Sequence, residues 1–192
     1  MTPSREEALA LFKEFNQSES LYAHALAVEA VMRQFARKLA PEEEERWGTL
    51  GLIHDLDYER YPDQHCQMTE KILTERGWPE ADVRAVISHG YGICTDVEPQ
   101  EDVEKVLYTI DELTGLVAAT ARMRPSRSIL DMEAKSVKKK WKQKSFAAGV
   151  DREVIEKGAE RLGMPLQEVI QETILGMRTV AEEIGLKGEV DA

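Results

Sequence analysis

The chain has 192 residues, 42% hydrophobic and 32% charged, which is a globular composition long enough to bury a core and too apolar for a disordered chain. Its formal net charge of -11, from 36 acidic and 25 basic side chains, argues against general nucleic-acid or membrane-surface binding while leaving room for a local basic pocket. Cys66 and Cys94 form no CxxC pair, no apolar run approaches the ~20 residues that span a bilayer, and the opening MTPSREEALALFKEF lacks a signal-peptide pattern, so a cytoplasmic protein without a disulfide framework is expected.

In chain order, Ser4-Arg5-Glu6-Glu7 reads as a capping box before apolar residues at helical spacing, Leu9, Leu11, Phe12 and Phe15. The sequon Asn16-Gln17-Ser18 follows and is read as chance. A second helix is expected from about Ser20 to Leu39, burying Leu21, Leu26, Val28, Val31, Met32 and Phe35. Pro41 and the glutamates after it suit the first turn of a third helix, which carries Trp47, Leu50, Leu52 and Ile53 up to His54-Asp55. Tyr61-Pro62-Asp63 marks a loop. The next helix follows His65 and ends near Gly77, and Pro79 opens another that runs into Ser88-His89-Gly90. After a loop from Gly90 to Glu101, Val103 to Ala121 reads as a long, mostly buried helix, and Pro125 breaks the chain. A basic stretch precedes helices near 151–162 and 165–185, separated by Gly163 and Pro165. Val, Ile and Thr do not gather into alternating runs, so the fold class is all-α.

The chain has four histidines, His24, His54, His65 and His89. His54-Asp55 stands at the end of an apolar helix, where a buried carboxylate is costly unless it is paired or holds a metal. Asp111 poses the same question within Leu107-Tyr108-Thr109-Ile110-Asp111-Glu112-Leu113-Thr114. Adjacent His and Asp cannot close a metal site alone. His24 and Asp111 come from two other helices, which is how helical bundles build such sites, and nitrogen and oxygen donors suit Mn, Fe, Co, Ni or Zn.

The order His24, His54-Asp55, Asp111 resembles the H…HD…D signature of the HD superfamily of metal-dependent phosphohydrolases, over roughly residues 20 to 120. Tyr108-Thr109-Ile110-Asp111-Glu112-Leu113-Thr114-Gly115, Lys138-Lys139-Lys140 and Phe146-Ala147-Ala148-Gly149-Val150 also resemble a group of bacterial HD hydrolases whose substrate is unsettled. The resemblance implies an HD-domain helical bundle with additional C-terminal helices. Residues 1–192 would form one domain, with a metal-binding core at about 20–122 and a helical extension at about 126–188. It implies one or two divalent ions, the first on His24, His54, Asp55 and Asp111, the second on His65 and His89 with Asp55 bridging. Leu56 and Asp57 stand where the common HDIG form has Ile and Gly. His65 also fits a polar loop, and His89 a helix end.

Asp57 and Glu59, just past the pair, are candidates for general acid or base, or for solvated loop charges. From Arg122 to Lys144, nine Arg or Lys face only Asp131 and Glu133. Arg122, Arg124 and Lys138 or Lys139 are the candidate phosphate contacts, against the alternative of a solvated helix face. The expected activity is hydrolysis of a small phosphorylated metabolite, a nucleotide above all, through metal-activated water. A di-iron oxygenase of the HD type and a non-catalytic metal- or nucleotide-binding module are the alternatives. Ile155, Leu162, Leu166, Val169, Ile170, Ile174 and Leu175 are read as packing material that covers the core, with an apolar face for a homodimer as the alternative. No membrane partner is expected, and RNA binding has no motif to support it.

Overall fold

A computed structural model describes residues 1–189, which form nine α-helices, three short 3-10 turns and no strand. The helices are α1 (Arg5–Phe15), α2 (Glu19–Leu39), α3 (Glu44–Ile53), α4 (Gln67–Glu75), α5 (Glu80–Ile87), α6 (Asp102–Arg122), α7 (Ala134–Trp141), α8 (Arg152–Leu162) and α9 (Leu166–Arg178). The all-α expectation therefore holds. No helix among the described residues is long and apolar enough to cross a membrane.

The caps follow the sequence. Ser4 Oγ accepts from the Glu7 amide at 3.3 Å while Glu7 accepts from the Ser4 amide at 2.7 Å, the reciprocal capping box expected there. Pro79 and Pro165 stand at the N-caps of α5 and α9. Gly163 ends α8 at φ +63°, a left-handed conformation that costs glycine nothing. Pro41 opens a 3-10 turn over Pro41–Glu43, and α3 begins after it.

α2 and α6 form the centre. α3 and α9 pack on α2, and α8 packs on α6. Phe35, Val31, Met32, Val28, Leu50, Ile53, Leu107 and Ile110 are fully buried between these helices. Leu21, expected within the buried stripe of α2, is half-buried at a cavity mouth. The approach of α3 to α2 depends on Gly51, where a Cβ would stand 3.1 Å from the Val28 carbonyl oxygen and 2.8 Å from Met32 Cγ. That closeness lets His54, one turn further on, reach the face of α2 that carries His24.

Two elements differ from expectation. α7 lies inside the basic stretch, for which the sequence pattern sets no helix bounds; Ala134 and Val137 are buried on its inner side, and the lysines of the segment obscure that short apolar stripe. α9 stops at Arg178 rather than continuing to 185. There the bonding tightens to three-residue spacing, with Thr179 to Gly176, Val180 to Met177 and Ala181 to Arg178, and the Thr179 hydroxyl also donates to the Gly176 carbonyl. Asn16, the sequon residue, is buried and donates to the Phe12 and Leu56 carbonyls.

Candidate metal centre

Five separate stretches of chain bring the four histidines and two aspartates together. His24 comes from α2 and Asp111 from α6. His54 and Asp55 occupy the turn after α3, His65 precedes α4, and His89 lies in the 3-10 turn that ends α5. His24, His54, Asp55 and Asp111 each offer one donor atom, all within 4.8 Å of one another. Asp111 Oδ1 lies 2.9 Å from His24 Nε2 and 3.2 Å from His54 Nε2. Asp55 Oδ2 lies 3.6 Å and 3.3 Å from the same two nitrogens.

The other oxygen of Asp55 faces a second group. Asp55 Oδ1 is 3.5 Å from His65 Nε2 and 3.5 Å from His89 Nε2, and those two nitrogens are 3.2 Å apart. One carboxylate is thus shared between two clusters, each built of imidazole nitrogens.

Hydrogen bonds on the far side of three rings place a proton on Nδ1. His54 Nδ1 donates to the Gly51 carbonyl at 2.8 Å, and His89 Nδ1 donates to the Val86 carbonyl at 2.6 Å. His65 Nδ1 donates to Asp57 Oδ1 at 2.7 Å. A carbonyl or carboxylate can only accept, so each neutral ring presents an Nε2 lone pair toward the carboxylates. Acceptors facing acceptors in a buried space repel unless a positive charge lies among them. For His54, burial opposes charging, but the carboxylates of Asp55 and Asp111 outweigh it and hold its pKa well above the usual histidine value. Burial likewise opposes ionisation of Asp55 and Asp111, and His54 overcomes it, holding both below the usual carboxylate range. His65 is also raised: burial works against the charge, and Asp57 and Asp55 favour it. The donor set therefore fits divalent cations, with nitrogen and oxygen ligands oriented from behind.

The centre opens into a cavity of about 370 Å³ lined by Leu21, Tyr58, Ile93, Cys94, Glu112 and Val150 as well as His24, Asp55, His65, His89 and Asp111, with His54 fully buried behind them. A larger cleft of about 610 Å³, bordered by Glu42, Arg46, Arg84 and Lys105, contains none of the histidines. Sequence reasoning passed over Glu112 and Tyr58 as lining residues. Glu112 directly follows Asp111 and is pushed up by burial, against a hydrogen bond from the Asp151 amide. The Tyr58 ring meets the His65 ring edge-on, with centroids 5.2 Å apart.

The remaining sequence candidates stand outside the cavity lining. Asp57 is fully buried, and its oxygens take His65 Nδ1 and the Thr69 amide, so it orients a histidine and caps α4. Glu59 accepts from the Gln17 and Ser18 amides, at 2.8 Å and 2.9 Å, ahead of α2. Arg124 is bound to Asp131 and Ser136, and Lys138 to Gln167. Lys139 lies on the same helix, α7. Arg122 alone among the basic candidates lines space next to the centre, a side cavity of about 170 Å³ that it shares with His24.

A family model described as HD domain matches residues 21–116, half of the chain, and this span contains all six donors. No curated protein and no solved structure matches the chain.

Proposed function

Because this chain belongs to the HD-domain family, a superfamily of metal-dependent hydrolases, we propose that it is a phosphohydrolase of a small phosphate ester, with nucleotides as the first class to test. The observation that carries this reading is Asp55, whose two oxygens face two separate histidine clusters. His24, His54, Asp55 and Asp111 would hold one divalent ion, and His65, His89 and Asp55 a second. Such ions supply a nucleophilic water at neutral pH and draw charge from a phosphoryl oxygen.

The protein's own groups do the positioning. The Gly51 and Val86 carbonyls and Asp57 fix three imidazoles with Nε2 inward, so that little reorganisation is needed on binding. The cavity lining contains no Lys or Arg among the described residues, so the phosphate meets its positive charge at the donor clusters. Leu21, Ile93, Val150 and the Tyr58 ring give the organic part of the ester an apolar wall. This arrangement favours a single phosphate carried on a compact organic group over a polyphosphate chain, which would bring more charge than the walls offset.

The test is release of inorganic phosphate from a panel of phosphate esters, nucleoside monophosphates included, with Mn, Co or Ni. Turnover that disappears in His54→Ala and Asp55→Ala supports the reading. No turnover with any ester under any metal counts against it. The shared Asp55 would equally bridge two irons of an oxygenase, and iron content with oxygen-dependent product formation separates that second reading.

A further inference from the structure

Cys66 and Cys94 are the only two cysteines of the chain, and the fold brings them together. Their sulfurs are 2.6 Å apart across 28 residues. Cys66 is buried directly ahead of α4, its backbone in the left-handed region at φ +70°. Cys94 sits on a tight turn where the amides of Ile93, Cys94 and Thr95 all donate to the Gly90 carbonyl. The Gln67 side chain donates to the Cys94 carbonyl at 2.9 Å, tying the same two segments a second time. Gly90 keeps the space open, since a Cβ there would stand 2.2 Å from Cys94 Sγ and 2.6 Å from Cys66 Sγ. Cys94 lines the cavity of the metal centre and is partly exposed, whereas Cys66 is 2% exposed.

We propose that Cys66 and Cys94 are a reversible oxidation site at which a peroxide entering the cavity makes a disulfide between the Gly90–Thr95 turn and the start of α4. Cys94 reacts first, because it is the sulfur a solute in the cavity can reach. Its thiolate attacks one peroxide oxygen; an S–O bond forms, the O–O bond breaks, and the departing hydroxide takes a proton to become water. The sulfenic acid on Cys94 is then attacked by Cys66 sulfur. An S–S bond forms, the S–O bond breaks, and the second hydroxide leaves as water with the proton from Cys66. Two thiols lose two electrons and one peroxide becomes two waters. The resolving sulfur is already in contact, so the turn need not open for the second step, and a small dithiol reverses the change by exchange.

The site stands whether or not the protein hydrolyses phosphate esters, because its test reads chemistry at sulfur. The full-length protein is treated with hydrogen peroxide, alkylated and mapped by peptide mass. The expected product is one cross-linked peptide pair holding Cys66 and Cys94, lighter by two hydrogens, within one chain and lost on treatment with dithiothreitol. Oxidation should raise Tm by about 5–10 °C, reversibly, by closing a loop of this length in the unfolded chain. In Cys66→Ser, dimedone should trap a sulfenic acid on Cys94, while in Cys94→Ser the buried Cys66 should stay unlabelled. The proposal is overturned if wild-type Cys94 goes on to sulfinic acid while Cys66 is alkylated as a free thiol. It is also overturned if both cysteines remain alkylable after peroxide, or if the disulfides formed join separate chains.

Discussion

His65 and His89 face each other through their Nε2 atoms at 3.2 Å, although each ring has its Nδ1 proton committed elsewhere, to Asp57 and to the Val86 carbonyl. Both Nε2 atoms therefore point inward, where they would serve one cation, and Asp57 is what orients one of them. Asp57→Asn should weaken binding of the second ion by about 10–100-fold while the first ion stays bound. Metal titration followed by calorimetry reads the two affinities separately. Equal weakening of both, with a lowered Tm, would make Asp57 a merely structural residue.

His54→Ala and Asp55→Ala should bring phosphate release to background and leave far-ultraviolet circular dichroism unchanged, since both residues lie beyond the end of α3. Chelation of the wild-type protein should lower its stability by an amount set by metal concentration, about 2.7 kcal/mol at a hundredfold excess over Kd. Chelation should change the stability of Asp55→Ala far less.

Gly51→Ala tests the close approach of α3 to α2. A Cβ 3.1 Å from the Val28 carbonyl must push backbone, so the variant should lose about 1–3 kcal/mol in urea unfolding. Because His54 and Asp55 move with the end of α3, metal affinity should fall with stability.

Lys138→Ala and Lys139→Ala should leave kcat/KM within about twofold of wild type, because neither side chain lines the cavity. Arg122→Ala should raise KM by no more than about threefold, because Arg122 lines the side cavity next to His24 and not the cavity of the donors. A large effect at Lys138 or Lys139 would restore the basic stretch to the site.

Stability should also respond to acid through Glu43. The Trp47 indole N–H donates to its carboxylate at 3.0 Å and Arg46 lies beside it, holding its pKa below the usual glutamate value. A lowered folded pKa adds stability above the unfolded value, and that stability is lost as pH falls through the folded one. The difference between wild type and Glu43→Gln should therefore shrink as the pH drops below about 4.3. A constant difference across that range would remove Glu43 from the acid response.

The side chains that converge at the candidate metal centre were legible in the sequence because histidine is scarce in this chain and His54-Asp55 follows an apolar helix, where an idle carboxylate would be expensive. The order of His24, the pair and Asp111 then connected three helices. What remained hidden depends on tertiary neighbours. Asp57 reads as a loop charge until Thr69 and His65 are seen to share it, and Glu59 until it meets the amides ahead of α2. Arg124 looks like a phosphate contact until Asp131 takes it. The two cysteines are far apart in sequence, and no spacing rule joins them. The inner stripe of α7 is short, and the lysines around it dominate composition.

Elemental analysis of the purified chain, reconstituted with manganese and freed of loose metal, tests the shared-carboxylate centre most directly. Two ions per wild-type chain are expected, one in the His65→Ala, His89→Ala double variant, and none in Asp55→Ala. A wild-type chain that retains no ion, or an Asp55→Ala chain that retains as much as wild type, would contradict it.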